Sequence, residues 1–124
     1  MPSQPLSLAL VQMASTPDWQ PNRSTVQAVL AEHTQPEDLA VFPECVLCLG
    51  RGRTVRETAR TAAETVADLG SLCAQAERAA VFGGVPVRED DGVRNSSLFF
   101  SSTGKLLGRY DKMHLFRLDP DGPG

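Results

Sequence analysis

The residues able to do chemistry in this 124-residue chain gather around two apolar runs. Glu44 follows Pro43 at the end of Leu39-Ala40-Val41-Phe42, and Lys112 closes the stretch that begins at Lys105. Cys45 and Cys48 form a C-x-x-C directly after Glu44, while Cys73, His33 and His114 stand apart. In an open α/β sheet, ligand crevices form at the carboxyl ends of strands. A partly desolvated carboxylate there can serve as a general base. An ammonium reaching the same crevice would stabilise negative charge developing on a substrate oxygen. Paired thiols could bind a metal ion or cycle as a disulfide.

Each candidate also has a plainer reading. Position alone favours a solvated loop glutamate at 44 and a surface lysine at 112. His114 is as readily a structural histidine bonded to backbone as a base. A zinc site built on C-x-x-C needs a second ligand pair at matched spacing, and none is present. A redox C-x-x-C normally opens a helix, whereas this one leads into the loop Gly50-Arg51-Gly52-Arg53. Two small side chains packed beneath a loop account for Cys45 and Cys48, and Cys73 falls on an apolar helix stripe as a core residue.

The elements that position these residues follow from periodicity. Leu6 to Met13 reads as a strand more apolar than an exposed edge would be. Val26, Val29, Leu30 and His33 fall at helical spacing behind Pro21. Leu39 to Phe42 is a second buried strand, ended by a proline that has no N–H to donate. Thr54 and Glu57 have capping-box spacing. From there one long helix is expected, with its stripe through Val55, Ala59, Ala62, Val66, Leu69, Cys73, Ala76 and Ala80. That stripe is Ala-rich and holds Gly70, so it reads as a helix lying on a sheet rather than a coiled-coil seam. Ala80 to Pro86 is a third strand, Val93 to Ser101 a fourth, and Lys105 to Lys112 a fifth. Turns at Glu89-Asp90-Asp91-Gly92 and Ser102-Thr103-Gly104 separate them. The order β-α-β-α-β-β-β predicts an α/β fold with a mixed α+β sheet, parallel strands first and a hairpin last.

Composition bounds the function. The chain is 41% hydrophobic and 22% charged with a formal net charge of −3 and no basic cluster, which argues against nucleic-acid binding. No segment approaches the apolar length of a membrane span, and no basic residue precedes the short apolar run at 6–11. Three cysteines, an odd number, fit a reducing compartment, and a cytoplasmic location is expected.

Four blocks in order lift the reading of Glu44 and Lys112. They are Leu8-Ala9-Leu10-Val11-Gln12-Met13 and Val41-Phe42-Pro43-Glu44, then Val81-Phe82-Gly83-Gly84 with Arg94-Asn95-Ser96-Ser97-Leu98 and Thr103-Gly104-Lys105, and last Tyr110-Asp111-Lys112-Met113-His114-Leu115-Phe116. Each is weak alone, but together they resemble the N-terminal half of the carbon–nitrogen hydrolase (nitrilase) superfamily. The resemblance implies half of an α-β-β-α sandwich, with residues 1–124 the N-terminal portion of one domain. It implies hydrolysis of a small-molecule amide or nitrile by a Glu-Lys-Cys triad through a thioester acyl-enzyme, with a small-acid amidase as the expected activity. Glu44 would be the general base, Lys112 the oxyanion-stabilising cation and Asn95 a structural residue. No metal or organic cofactor is implied, and a homodimer or higher oligomer is expected of the full-length protein.

The sequence departs from the family at the nucleophile, which lies downstream of the lysine block. No cysteine follows Cys73. Cys45 is adjacent to Glu44, and neighbours on extended backbone point to opposite sides. A truncated chain, inactive alone, is therefore expected. A non-catalytic binding or scaffold half-domain and a C-x-x-C metal or redox protein are the alternatives.

Overall fold

The computed structural model describes residues 5–113. Strand β1 (Ser7–Leu10), helix α1 (Trp19–Glu32), β2 (Asp38–Phe42), α2 (Gly52–Thr58), β3 (Arg60–Thr61), α3 (Ala62–Ala76), β4 (Ala79–Glu89), β5 (Gly92–Phe100) and β6 (Leu106–Asp111) follow in chain order. The sheet has six strands in the order β1-β2-β4-β5-β6, with β3 paired to β4 off that path. β1, β2 and β4 are parallel, whereas β4-β5 and β5-β6 are antiparallel hairpins. This is the mixed α/β sheet expected.

One face of the sheet is covered. Ala40 and Phe42 of β2, Ala80 and Phe82 of β4, and Leu98 and Phe100 of β5 share the buried core with Val26, Leu30, Leu69, Leu72 and Cys73. Phe42 stacks on Phe82 at 5.2 Å, and Phe82 meets Phe100 edge-on at 5.8 Å. Asp68 on α3 takes the Arg23 guanidinium at 2.8 Å and the Trp19 indole N–H at 3.4 Å, which ties α1 to α3. The Arg60 guanidinium lies 4.3 Å from the centre of the Trp19 ring, closing the same corner.

Among the described residues the opposite face is the open one. By register, Leu8 and Leu10 line up with Leu39 and Val41, then Val81, Phe99 and the Ser97-Tyr110 pair. Leu10 is 76% exposed and Tyr110 56%. β1 is thus an edge strand with exposed leucines, not the buried strand expected from its composition.

The single helix expected from Thr54 to Ala80 is in fact two. Ala59 leaves helical geometry, and Arg60-Thr61 pair with Val87-Arg88 of β4 before α3 starts. The capping box belongs to Thr61 and Glu64: the Thr61 Oγ1 accepts from the Glu64 N–H and donates to the Glu64 carboxylate at 2.8 Å. Ala80 belongs to β4. On α1 the buried face is Trp19, Asn22, Val26 and Leu30, while His33 caps the helix and is exposed.

Gly70 and Gly104 let the β5–β6 turn sit on α3. A Cβ on Gly70 would lie 2.5 Å from the Gly104 carbonyl oxygen, and Gly104 holds φ +87°. Helix propensity alone would reward Gly70→Ala by up to ~1 kcal/mol. The collision is with backbone, which cannot move aside, so the opposite sign is expected. Gly70→Ala should lower stability by roughly 1–3 kcal/mol, read as an earlier midpoint in urea unfolding. An unchanged or later midpoint would show that this contact does not constrain the fold.

Candidate active site

The site forms where β2 leaves the sheet. β2 and β3 occupy the same edge of β4, β2 against Ala79–Phe82 and β3 against Val87–Arg88. Between them the chain exits through Pro43-Glu44 alongside Gly83-Gly84, where the β4-β5 register shifts. A Cβ on Gly83 would lie 2.8 Å from the Phe42 carbonyl oxygen, and one on Gly84 2.7 Å from Glu44 Cγ and 2.8 Å from Asn95 Oδ1. The two glycines therefore make the space Glu44 occupies. Ser97 Oγ donates to the Gly83 carbonyl at 2.7 Å and fixes the irregular segment.

Lys112 arrives from the other side. Its backbone N–H donates to the Asn95 carbonyl at 2.8 Å, which extends the β5-β6 pairing by one residue beyond β6. That register puts Lys112 and Asn95 on the open face with Tyr110. The Lys112 Nζ stands 3.4 Å from Glu44 Oε1, and the Asn95 Nδ2–H₂ donates to the same oxygen at 2.8 Å. The side chains of Lys112 and Glu44 are 39% and 54% exposed, so the ion pair adds at most about 1 kcal/mol to stability. Beside it, Asp111 points to the covered face. Arg109 lies against it at 2.8 Å and the Ser96 hydroxyl donates at 2.6 Å; together they hold its carboxyl below the usual range.

The loop after Glu44 is anchored from beneath. Val46 and Leu47 are fully buried. Asn22, itself buried on α1, donates to the carbonyls of Thr16 and Leu47, both at 2.7 Å, and accepts from the Thr16 N–H at 2.8 Å. The Leu49 N–H donates to the Thr16 carbonyl at 2.9 Å, and the Cys48 thiol donates to the Pro17 carbonyl at 3.3 Å. Sequence reasoning missed Asn22 and the part of Gly84. A buried asparagine at a core-facing helical position is the signal that could have found the first.

The thiols do not form a pair: Cys45, Cys48 and Cys73 are all free. No cluster of three or more metal-ligating side chains occurs among the described residues. Cys45 has φ +60°, so the extended-backbone ground for excluding it fails. Burial, then the Glu44 and Cys48 charges, push the Cys45 thiol up, with Lys112 acting the other way. Cys73 is pushed up to about 12 by burial. His114 lies outside the described residues.

The carbon-nitrogen hydrolase family profile matches residues 7–124. The chain belongs to the carbon–nitrogen hydrolase family. Among solved structures of that fold, the chain is similar to XC1258 of Xanthomonas campestris, a CN-hydrolase superfamily protein. The two share 29% identity at a TM-score of 0.76, over 90% of this chain and 42% of that one. It is similar to Nit3 of Saccharomyces cerevisiae, a nitrilase-superfamily member, at 26% identity and TM-score 0.73, over 86% and 44%. The Nesterenkonia AN1 amidase shares the fold at 22% identity and TM-score 0.73, over 89% and 44%. This family member thus spans less than half the length of those structures. No curated protein matches it.

Raised thiol pKa values have a direct consequence for reactivity. At about pH 8 a free cysteine is partly thiolate, whereas Cys45 should be less so and react slowly with Ellman's reagent. Its rate should climb only at higher pH, because a raised pKa moves thiolate formation to higher pH. Cys73 should react only after unfolding. A fast stoichiometric burst from Cys45 near neutral pH would contradict this assignment.

Proposed function

We propose that Glu44 and Lys112 are the general base and the oxyanion-stabilising cation of an amide-hydrolysing enzyme, a small-acid amidase in substrate class. The observation that carries the reading is their meeting at 3.4 Å, from positions far apart in sequence, at the carboxyl end of β2. The family match supports the reaction class.

In this reading a thiol loses its proton to Glu44 and its sulfur attacks the amide carbon. The carbonyl oxygen takes up negative charge beside the Lys112 ammonium. The tetrahedral intermediate collapses, the amine leaves with a proton from Glu44, and a thioester remains. Glu44 then takes a proton from water, the hydroxide attacks the thioester, and the acid and free thiol are released. In a glutamate-to-glutamine mutant of the Nesterenkonia amidase, acrylamide adds to the active-site cysteine.

None of the three thiols described here suits that part. Cys73 is sealed in the core, Cys48 is buried and bonded to Pro17, and Cys45 precedes the lysine block, whereas the family resemblance puts the nucleophile after it. We assign the nucleophile to polypeptide outside residues 1–124, together with a second sheet that covers the open face.

The test is a screen of the complete enzyme for ammonia release from ω-amides of short dicarboxylic acids, neutral short amides and short nitriles. Glu44→Gln and Lys112→Ala should each lower turnover by at least ~100-fold with unchanged circular dichroism. Cys45→Ser should stay within a few-fold of the parent. Near-parent turnover in either of the first two variants removes that residue from the mechanism, and a dead Cys45→Ser would return the nucleophile to this segment.

A further inference from the structure

We propose that Asn95 is the positioning residue that aims both charged groups: its amide pins Oε1 of Glu44, leaving Oε2 to take the proton, and its carbonyl sets Lys112. This rests on the roles proposed above for Glu44 and Lys112.

A glutamate on an exposed turn has three rotatable bonds and would sample many carboxylate positions. Proton transfer needs one of them, within hydrogen-bond reach of the nucleophile. Glu44 is restricted by two features of the sheet. The bare backbone of Gly84 lets its methylenes lie against β4, with Asn95 Oδ1 crowding the same spot. The Asn95 Nδ2 then donates to Oε1 at 2.8 Å, and Lys112 Nζ approaches that same oxygen at 3.4 Å. Among the described residues no hydrogen bond engages Oε2, which leaves it as the available base.

The second link runs through the backbone. Asn95 sits inside β5, paired with Pro86 of β4 on one side. On the other side its carbonyl accepts the Lys112 N–H at 2.8 Å, just past the end of β6. One residue in the middle of a three-stranded ladder thus sets the carboxylate by its side chain and the ammonium by its main chain. An amide suits the place because it donates without adding charge. A cation there would compete with Lys112, and an acid would repel Glu44.

The experiment uses the complete enzyme, with the best amide from the screen above and active sites counted by thiol titration. Asn95→Ala should lower kcat ~100-fold, the scale of a misplaced catalytic group, with KM within a few-fold. Asn95→Asp keeps the shape and the backbone link but replaces the donor with a like charge, so it should lose at least as much. Asn95→Gln, which keeps a donor on a longer arm, should recover part of the loss. The inference is overturned if Asn95→Ala or Asn95→Asp turns over like the parent per titrated site, or if a lower melting temperature is the only change. Retained activity in Glu44→Gln, or no amide turnover by the parent, instead overturns the underlying roles and this inference with them. A set in which Glu44→Gln is dead and Asn95→Ala is normal removes the inference alone.

Discussion

The close approach of two backbones at Gly83-Gly84 is the constraint on which the site depends. The end of β2 and the following Pro43-Glu44 lie so near β4 that any side chain at 83 would strike the Phe42 carbonyl oxygen and the Pro43 and Glu44 backbone. Neighbouring side chains can rotate away from an intrusion, but main chain held by a parallel ladder cannot. Two glycines in a strand interior normally weaken it. Here the register shift they permit is stabilised by the Ser97 hydroxyl and by the hydrophobic ladder of Phe42, Phe82 and Phe100 just below. The sheet is strong enough beneath the gap to carry a gap.

Rigidity of the acid then comes from its flanks. On one side Phe42 is buried and Pro43 restricts the exit. On the other, Cys45 takes a left-handed conformation and Val46 and Leu47 plunge into the core. A non-glycine residue at positive φ costs on the order of 1 kcal/mol. Burial of two aliphatic side chains, roughly 1.5–3 kcal/mol each, is ample to offset it. Asn22 completes the arrangement by satisfying a buried carbonyl in that loop and two backbone groups of the 15–17 segment. An exposed carboxylate is thus carried on a turn whose neighbours are among the most buried residues in the molecule.

How much of this was legible in sequence depends on what each signal measures. The apolar runs of β2, β4 and β5, the Pro43 stop and the Ser102-Thr103-Gly104 turn are local, and they match the structure because local sterics decide them. The break at Ala59–Thr61 was invisible for a definite reason. Thr54/Glu57 and Thr61/Glu64 present the same capping spacing, seven residues apart, close to two helical turns. The apolar stripe therefore stays in phase across the interruption, and only pairing of Arg60-Thr61 with β4 reveals it. β1 misled in another way: leucines at 6, 8 and 10 report that one face is apolar, not that the face is covered. The meeting of Glu44 with Lys112 had no decisive local signal: their places at strand ends made them candidates, and the ordered set of family blocks joined them. The Asn95 link was beyond reach, because it depends on register across three strands.

Two features of the open face answer to the same physical need. Leu8, Leu10 and Tyr110 expose apolar surface there, and the Glu44-Lys112 pair meets solvent on the same side of the sheet. In water, an ammonium 3.4 Å from a carboxylate does little, since solvent screens it and competes for its hydrogens. Excluding water would strengthen every electrostatic contact in the site and make the lysine a far better partner for a developing oxyanion. A layer packed on the leucines and the tyrosine would gain hydrophobic energy and in the same act lower the dielectric around the charges. With the proposed roles, the sheet would tie assembly to chemistry: a second layer docked on the exposed leucines and tyrosine would also bury the Glu44-Lys112 pair.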